Sequence, residues 1–312
     1  MRTRMAAIGA AVALAIGGLA ACSGSGQDVV RSGADTETAA AGGPAEALQT
    51  AAQKTTEAGT AKVAMTLDVT GLPGVGATTF TVDGAIDNTT RQSSFSFDLS
   101  KLAAALPASQ QMGLSAIIGD GNVNVVTDGS DVYVKLGGLA TILGATSNQT
   151  WIKVSGDSAA AGAVGIPLGD GTEVLKLLEQ AGDVKAVGTE QVRGTDTTHY
   201  QGTLDVAAAL SQASAEDRAK AESELGKVGI DPSAATVPVD VWIGTDDGLV
   251  RRVQLGVHGL ETTSSSAPGA VAGTFTLELF DFGQPVDITV PPADQVFAVD
   301  PSMLGSLAKL AG

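Results

Sequence analysis

The chain has 312 residues, 44% of them hydrophobic but only 4% aromatic, and a formal net charge of −16. That acidic balance excludes a nucleic-acid binder, which needs a basic footprint over the phosphates, and sets the body of the chain against anionic headgroups. A single cysteine excludes an internal disulfide.

The cysteine stands at the end of a leader. Met1-Arg2-Thr3-Arg4 is basic, residues 5–19 are an apolar run, and Leu19-Ala20-Ala21-Cys22 closes it. This is the layout of a bacterial lipoprotein signal, with small residues where a peptidase must approach the backbone. The run falls short of the ~20 residues that span a bilayer. We expect residues 1–21 to be removed and Cys22 to carry a diacylglycerol thioether and an N-terminal acyl chain such as palmitate. Two or more chains, at ~0.8 kcal/mol per buried CH₂, make a stable anchor. Arg2 and Arg4 leave with the leader, so 16 cationic residues face 34 acidic ones and the mature chain stands at −18. The expected location is the extracytoplasmic face of the cell membrane, lipid-anchored, with no transmembrane helix. Residues 22–43, rich in Ser, Gly, Ala, Thr and acids, read as a flexible tether. One domain is expected over 44–300, and a short helix or tail over 301–312.

Residues 44–58 begin with Pro44, which suits a first helical turn, and predict a helix. Residues 61–70 alternate, with Val63, Met65, Leu67 and Val69 on one side and Lys62, Thr66 and Asp68 on the other; that is the period of a half-exposed strand. Residues 78–86 (Phe80, Val82 and Ile86 inward) and 91–99 (Phe95, Phe97 and Leu99) repeat it, and together they read as an antiparallel meander. The period changes over 100–118, where Leu102, Leu106, Met112, Leu114, Ile117 and Ile118 form a broken apolar helical segment stopped by Gly119.

Strands are predicted again at 122–126, 131–136 and 151–154, followed by an Ala/Gly loop to Pro167. Val174, Leu177, Leu178 and Ala181 fall on one helical face of 169–181. Strands at 184–189 and 197–204 precede an Ala-rich helix at 206–227 with Glu216/Lys220 and Arg218/Glu222 at i,i+4. Residues 237–243 and 249–257 form a hairpin over Asp246-Asp247-Gly248. A Ser/Gly turn region is expected over 261–272, strands at 273–282 and 285–290, and a terminal helix at 301–310. The sum is α+β: a large antiparallel sheet with helices segregated to one face.

Chemistry-bearing motifs are few. His199 lies in a predicted strand and His258 at the end of one, neither with partners at metal-ligand spacing. No nucleophile elbow, zinc-protease helix, phosphate loop or dinucleotide fingerprint appears, and Asp128, Asp131, Asp246 and Asp247 do not match a calcium loop. No catalytic residue, metal or cofactor is expected; Trp151 and Trp242 read as packing anchors. What remains is apolar surface. Val63, Met65, Leu67, Phe80, Val82, Phe95 and Phe97 on the sheet, with Leu106, Met112, Ile117, Val174 and Leu178 on the covering segments, form either an ordinary core or the lining of an apolar pocket for acyl chains.

A run of phrases adds to this reading: Asp131-Val-Tyr-Val-Lys-Leu136, Trp151-Ile-Lys-Val154, Val187-Gly-Thr-Glu190 leading to His199-Tyr-Gln-Gly202, Val241-Trp-Ile243, Asp247-Gly-Leu-Val-Arg251, Phe280-Asp-Phe-Gly283, Pro285-Val286 and Ile288-Thr-Val-Pro291. Over roughly residues 45–300 this order resembles the actinobacterial LppX/LprAFG lipoproteins, related in fold to the LolA/LolB carriers. The resemblance implies a curved half-barrel sheet with helices packed on its concave face. It also implies a hydrophobic cavity for the acyl chains of an envelope lipid or glycolipid, and no catalytic residues. The expected function is a membrane-anchored protein, not an enzyme, that binds or transfers acylated envelope lipids. The alternative is an envelope protein-interaction or sensory lipoprotein without lipid cargo.

Overall fold

The computed structural model describes residues 43–72, 76–100, 119, 121–135, 138–155, 182–205, 207, 210–211, 218–219, 236–262 and 269–299. The lipidation site Cys22, the tether, the apolar segment 101–118, the helix at 169–181 and the terminal helix lie outside them. One helix, α1 (Pro44–Glu57), precedes strands β1 (Thr60–Leu72), β2 (Gly76–Asp87), β3 (Gln92–Asp98), β4 (Asn122–Asp128), β5 (Asp131–Lys135) and β6 (Trp151–Ser155), with a one-turn helix α2 (Leu139–Ile142) before the last. Then come β7 (Gly182–Val192), β8 (Thr195–Asp205), β9 (Thr236–Gly244), β10 (Val250–Thr262), β11 (Gly269–Phe280) and β12 (Val296–Val299). In the 206–227 stretch the described residues Ala207, Leu210, Ser211, Arg218 and Ala219 are helical.

All the strands join one open sheet in the order β12-β6-β5-β4-β3-β2-β1-β11-β10-β9-β8-β7. Two antiparallel meanders make it. The first runs outward from β1 to β6, the second from β7 back to β11, and β11 closes the seam against β1. Alternation in sequence becomes register in space. Val123, Phe97, Val82, Met65, Leu277, Val253, Val241 and Tyr200 stand side by side from β4 to β8. The next row on the same face is Phe80, Leu67, Phe275, Leu255 and Val239.

Helix α1 packs on this face, burying Leu48, Ala51 and Ala52 with Val63, Val250 and Leu279 in one cluster. Thr55 fastens it: its hydroxyl donates to the Ala51 carbonyl at 2.6 Å and accepts from the Val250 amide at 2.9 Å. Gly84 lets β2 and β3 meet, because a Cβ there would stand 2.4 Å from the Phe95 ring that lies over it. The β7–β8 turn has positive φ at both Arg193 (48°) and Gly194 (80°), the geometry that matches strand twist in a two-residue hairpin.

Two expectations at the C-terminal end are corrected. Residues 285–290 form no strand: they are extended, and their half-buried and exposed positions alternate. Alternation reports two different sides, and a ladder also needs a partner; Pro285, Pro291 and Pro292 have no amide to give one. The pairing falls instead to β12, which lies parallel on β6. The turn region 261–272 is also narrower than predicted, since β10 runs to Thr262 and β11 starts at Gly269. Between β11 and β12 the chain crosses from the seam to the far edge. It is tied early by the Lys62–Asp281 ion pair (2.8 Å) and by the Gly283 amide on the Thr60 carbonyl (2.9 Å).

Candidate functional site

The apolar face is not uniformly closed. Val63 and Phe95 are 1% and 2% exposed and belong to the packed interior. Met65, Leu67, Phe80, Val82 and Phe97 are half-buried, and so is Phe275 on β11. Register makes these six one patch. Leu67 lies between Phe80 and Phe275, Met65 faces Val82, and Val82 faces Phe97. Its borders are sealed by Val123, Leu277, Val253 and Val69, none more than 2% exposed. Sequence reasoning named five of the six. Phe275 was passed over, although the alternation Phe275, Leu277, Leu279 carries the same signal. Leu106, Met112, Ile117, Val174 and Leu178, expected opposite the patch, lie outside the described residues.

A thioether, three phenyl rings and two branched aliphatics offer apolar surface and nothing that transfers a proton. Such a surface gains ~25 cal/mol for each Å² of ligand it removes from water. It holds a flexible hydrocarbon without demanding a fixed hydrogen-bond geometry, unlike a site built from buried polar groups.

The opposite face carries the polar chemistry. There the cross-strand row reads Ala64, Glu278, Arg252, Trp242 and His199. Arg252 donates to Glu278 at 2.6 and 2.9 Å, and Arg193 donates to the same carboxylate at 2.7 Å. Burial alone would raise Glu278, but hydrogen bonds from the two guanidiniums outweigh it and hold the carboxyl below its ordinary 4.5. The Arg252 guanidinium lies 5.2 Å from the centre of the Trp242 ring, whose nearly parallel neighbour is the His199 imidazole at 4.3 Å.

Both imidazole nitrogens are engaged, Nε2 with Asp240 at 2.7 Å and Nδ1 with Glu190 at 3.2 Å, while the indole N–H donates to Glu190 at 2.6 Å. The two carboxylates approach opposite nitrogens, so they do not converge on one ion. Among the described residues no cluster of three or more His, Cys, Asp or Glu is placed to hold a metal. The arrangement clamps β7, β8 and β9 together. Trp242 anchors packing as expected, at 5% exposure, but on the polar side of the sheet, roofed by charged and aromatic neighbours.

No family model matches the chain. An uncharacterized 31.2 kDa protein of Streptomyces griseus, encoded between rplA and rplJ, is 34% identical over 149 residues. That match spans 44% of this chain and about half (47%) of the relative's length. Among solved structures the chain is similar to the lipoprotein LppX of Mycobacterium tuberculosis, at 18% identity and TM-score 0.41 over 78% of this chain and 99% of that one. It is similar to LprF of Mycobacterium bovis at 17% and 0.44, over 80% and 96%. A LolA superfamily protein of Nitrosomonas europaea follows at 10% and 0.27, over 78% and 97%. The group that the sequence resembles is thus met again among the solved structures. Among the described residues no helix is long and apolar enough to cross a membrane.

Proposed function

We propose that this protein is an envelope lipoprotein, anchored through Cys22 on the extracytoplasmic face, that binds or transfers acylated lipids without being an enzyme. The observation that carries the reading is the half-buried patch Met65, Leu67, Phe80, Val82, Phe97 and Phe275, contiguous across four strands and framed by sealed core. Acyl chains would lie along these rows, with the sheet curving as a half-barrel around them. Burying ~500 Å² of hydrocarbon is worth ~12 kcal/mol. Losses of translational and chain freedom return several kcal/mol of that, which leaves micromolar affinity or better.

The −18 balance of the mature chain supports the anchor in this reading. An acidic body gains nothing from an anionic membrane surface, so residence there needs the covalent chains at Cys22, with residues 22–43 as leash. The test is mass spectrometry of solvent extracts from the Cys22→Ala protein purified from its native host. A stoichiometric acylated lipid is expected. Met65→Asp and Phe80→Asp should empty the protein while leaving a cooperative thermal transition. A chain that comes out lipid-free, with the patch variants behaving as wild type, would sink the carrier reading in favour of an interaction module.

A further inference from the structure

Charge is sorted by face across the strands that carry the patch and flank it. Register puts every charged residue of β1 to β6 and of β11 on the outward side. One outward row runs Glu278, Ala64, Asp83, Ser96, Asn124 and Lys135. The next joins Lys62 to Lys153, and a third carries Asp87, Asp128 and Asp131. Asp68 and Asp98 keep to the same side, opposite Thr79 and Asn122. Cations of that face are held there as well: Lys62 by Asp281 at 2.8 Å, Lys153 by Asp131 at 2.7 Å, and Arg252 on β10 by Glu278 at 2.6 Å.

A sealed core excludes charge as a matter of course. The half-open positions are the informative ones. Lys or Arg is at home on such a surface, because its stem lies along apolar neighbours while its head stays in water. Yet Met65, Leu67, Phe80, Val82, Phe97 and Phe275 present neither a cation nor a hydroxyl. Ser93 and Thr127, whose hydroxyls do lie on the inward side, bond each other at 2.7 Å. Beyond the patch an anion meets a chain whose formal net charge is −16.

We propose that the patch selects acyl lipids whose headgroup is uncharged, such as acylglycerols or their glycosides, and turns away fatty-acid anions and anionic phospholipids. An ionised head drawn onto the patch would lose its water and find no counter-charge among the described residues of that face, and an unpaired buried charge is costly. A head left at the rim meets the field of an acidic body. An ester or a sugar carries neither burden: its dipoles stay in water at the rim while the chain follows the apolar rows. The inference rests on the carrier reading above and narrows it from acyl chains in general to one headgroup class.

The experiment uses the delipidated Cys22→Ala chain loaded with diphenylhexatriene, an uncharged fluorescent hydrocarbon. Monopalmitoylglycerol and palmitate, which share one acyl chain, compete for it at about pH 8, where a free carboxyl is ionised. The ester should displace the probe at least ~tenfold more effectively than the anion, which pays for an unpaired charge. Phe80→Lys and Val82→Lys each place an ammonium on the patch, and either should narrow or reverse that ratio; a cooperative thermal transition identifies the folded variants. Equal displacement by ester and anion in the parent chain overturns the proposal and leaves the carrier reading standing, and so does a ratio unchanged in the folded lysine variants. A chain that takes up neither the probe nor either ligand brings down the carrier reading and this inference with it.

Discussion

The two faces of the central strands are built from neighbouring residues and serve different ends. On one face, the row from Val123 to Tyr200 is apolar throughout, and its members grade from sealed to half-open within a few ångströms. On the other, the row one residue along reads Ala64, Glu278, Arg252, Trp242 and His199, with each polar group tied to a named partner. The apolar face has no directional bonds, so its members can part and rejoin around a hydrocarbon at little cost. The polar face is all direction: moving one member strands the others. A sheet that must open on one side without losing its register would place its rigidity on the other.

The sharpest way to break this comparison is to cut the sealed and the half-open positions alike. Leu277→Ala, at 1% exposure, should cost ~3 kcal/mol in urea unfolding, whereas its half-buried neighbour Met65→Ala should cost ~1 kcal/mol. Equal losses would mean that the patch is ordinary core. Next comes the polar clamp. Glu278→Gln leaves Arg252 and Arg193 without their carboxylate and should cost ~2 kcal/mol at pH 7.

The acid limb tests the same group. Because the folded carboxyl is held below 4.5, its contribution is complete above that pH and is lost as pH falls through the lower folded value. The gap between wild type and Glu278→Gln should therefore close below pH 4.5. A gap constant down to the acid transition would mean that the two arginines do not act through this charge. Smaller again, Trp242→Phe keeps the ring between Arg252 and His199 but deletes the N–H to Glu190, and should lower stability by ~1 kcal/mol. Smallest is Lys62→Ala. Its ion pair with Asp281 is about half exposed on both sides, so a change under ~0.5 kcal/mol is expected, and anything larger would show that the crossing after β11 is held chiefly at this point.

Much of the fold was legible in the chain itself. Strict alternation at Val63, Met65, Leu67 and Val69, and again at Phe95 and Phe97, placed the first meander and five of the six patch residues, because a strand's side chains can only alternate. Where the same signal misled, at residues 285–290, the reason is that alternation measures environment and not pairing; prolines kept an extended chain out of the ladder. β12 was missed because four residues are too few to show a period, and its partner β6 lies far away in sequence.

The outward cluster was out of reach for a related reason. His199, Asp240 and Glu190 sit on three different strands, and nothing near His199 in the sequence points to the other two. Local pattern alone determined the strands, their apolar face and the acidic balance, since each follows from the order of side chains along the chain. Only the tertiary structure decided which apolar residues are sealed and which polar groups meet across strands. Those depend on which distant segments pair and in what register, and hydrogen bonding between strands sets that.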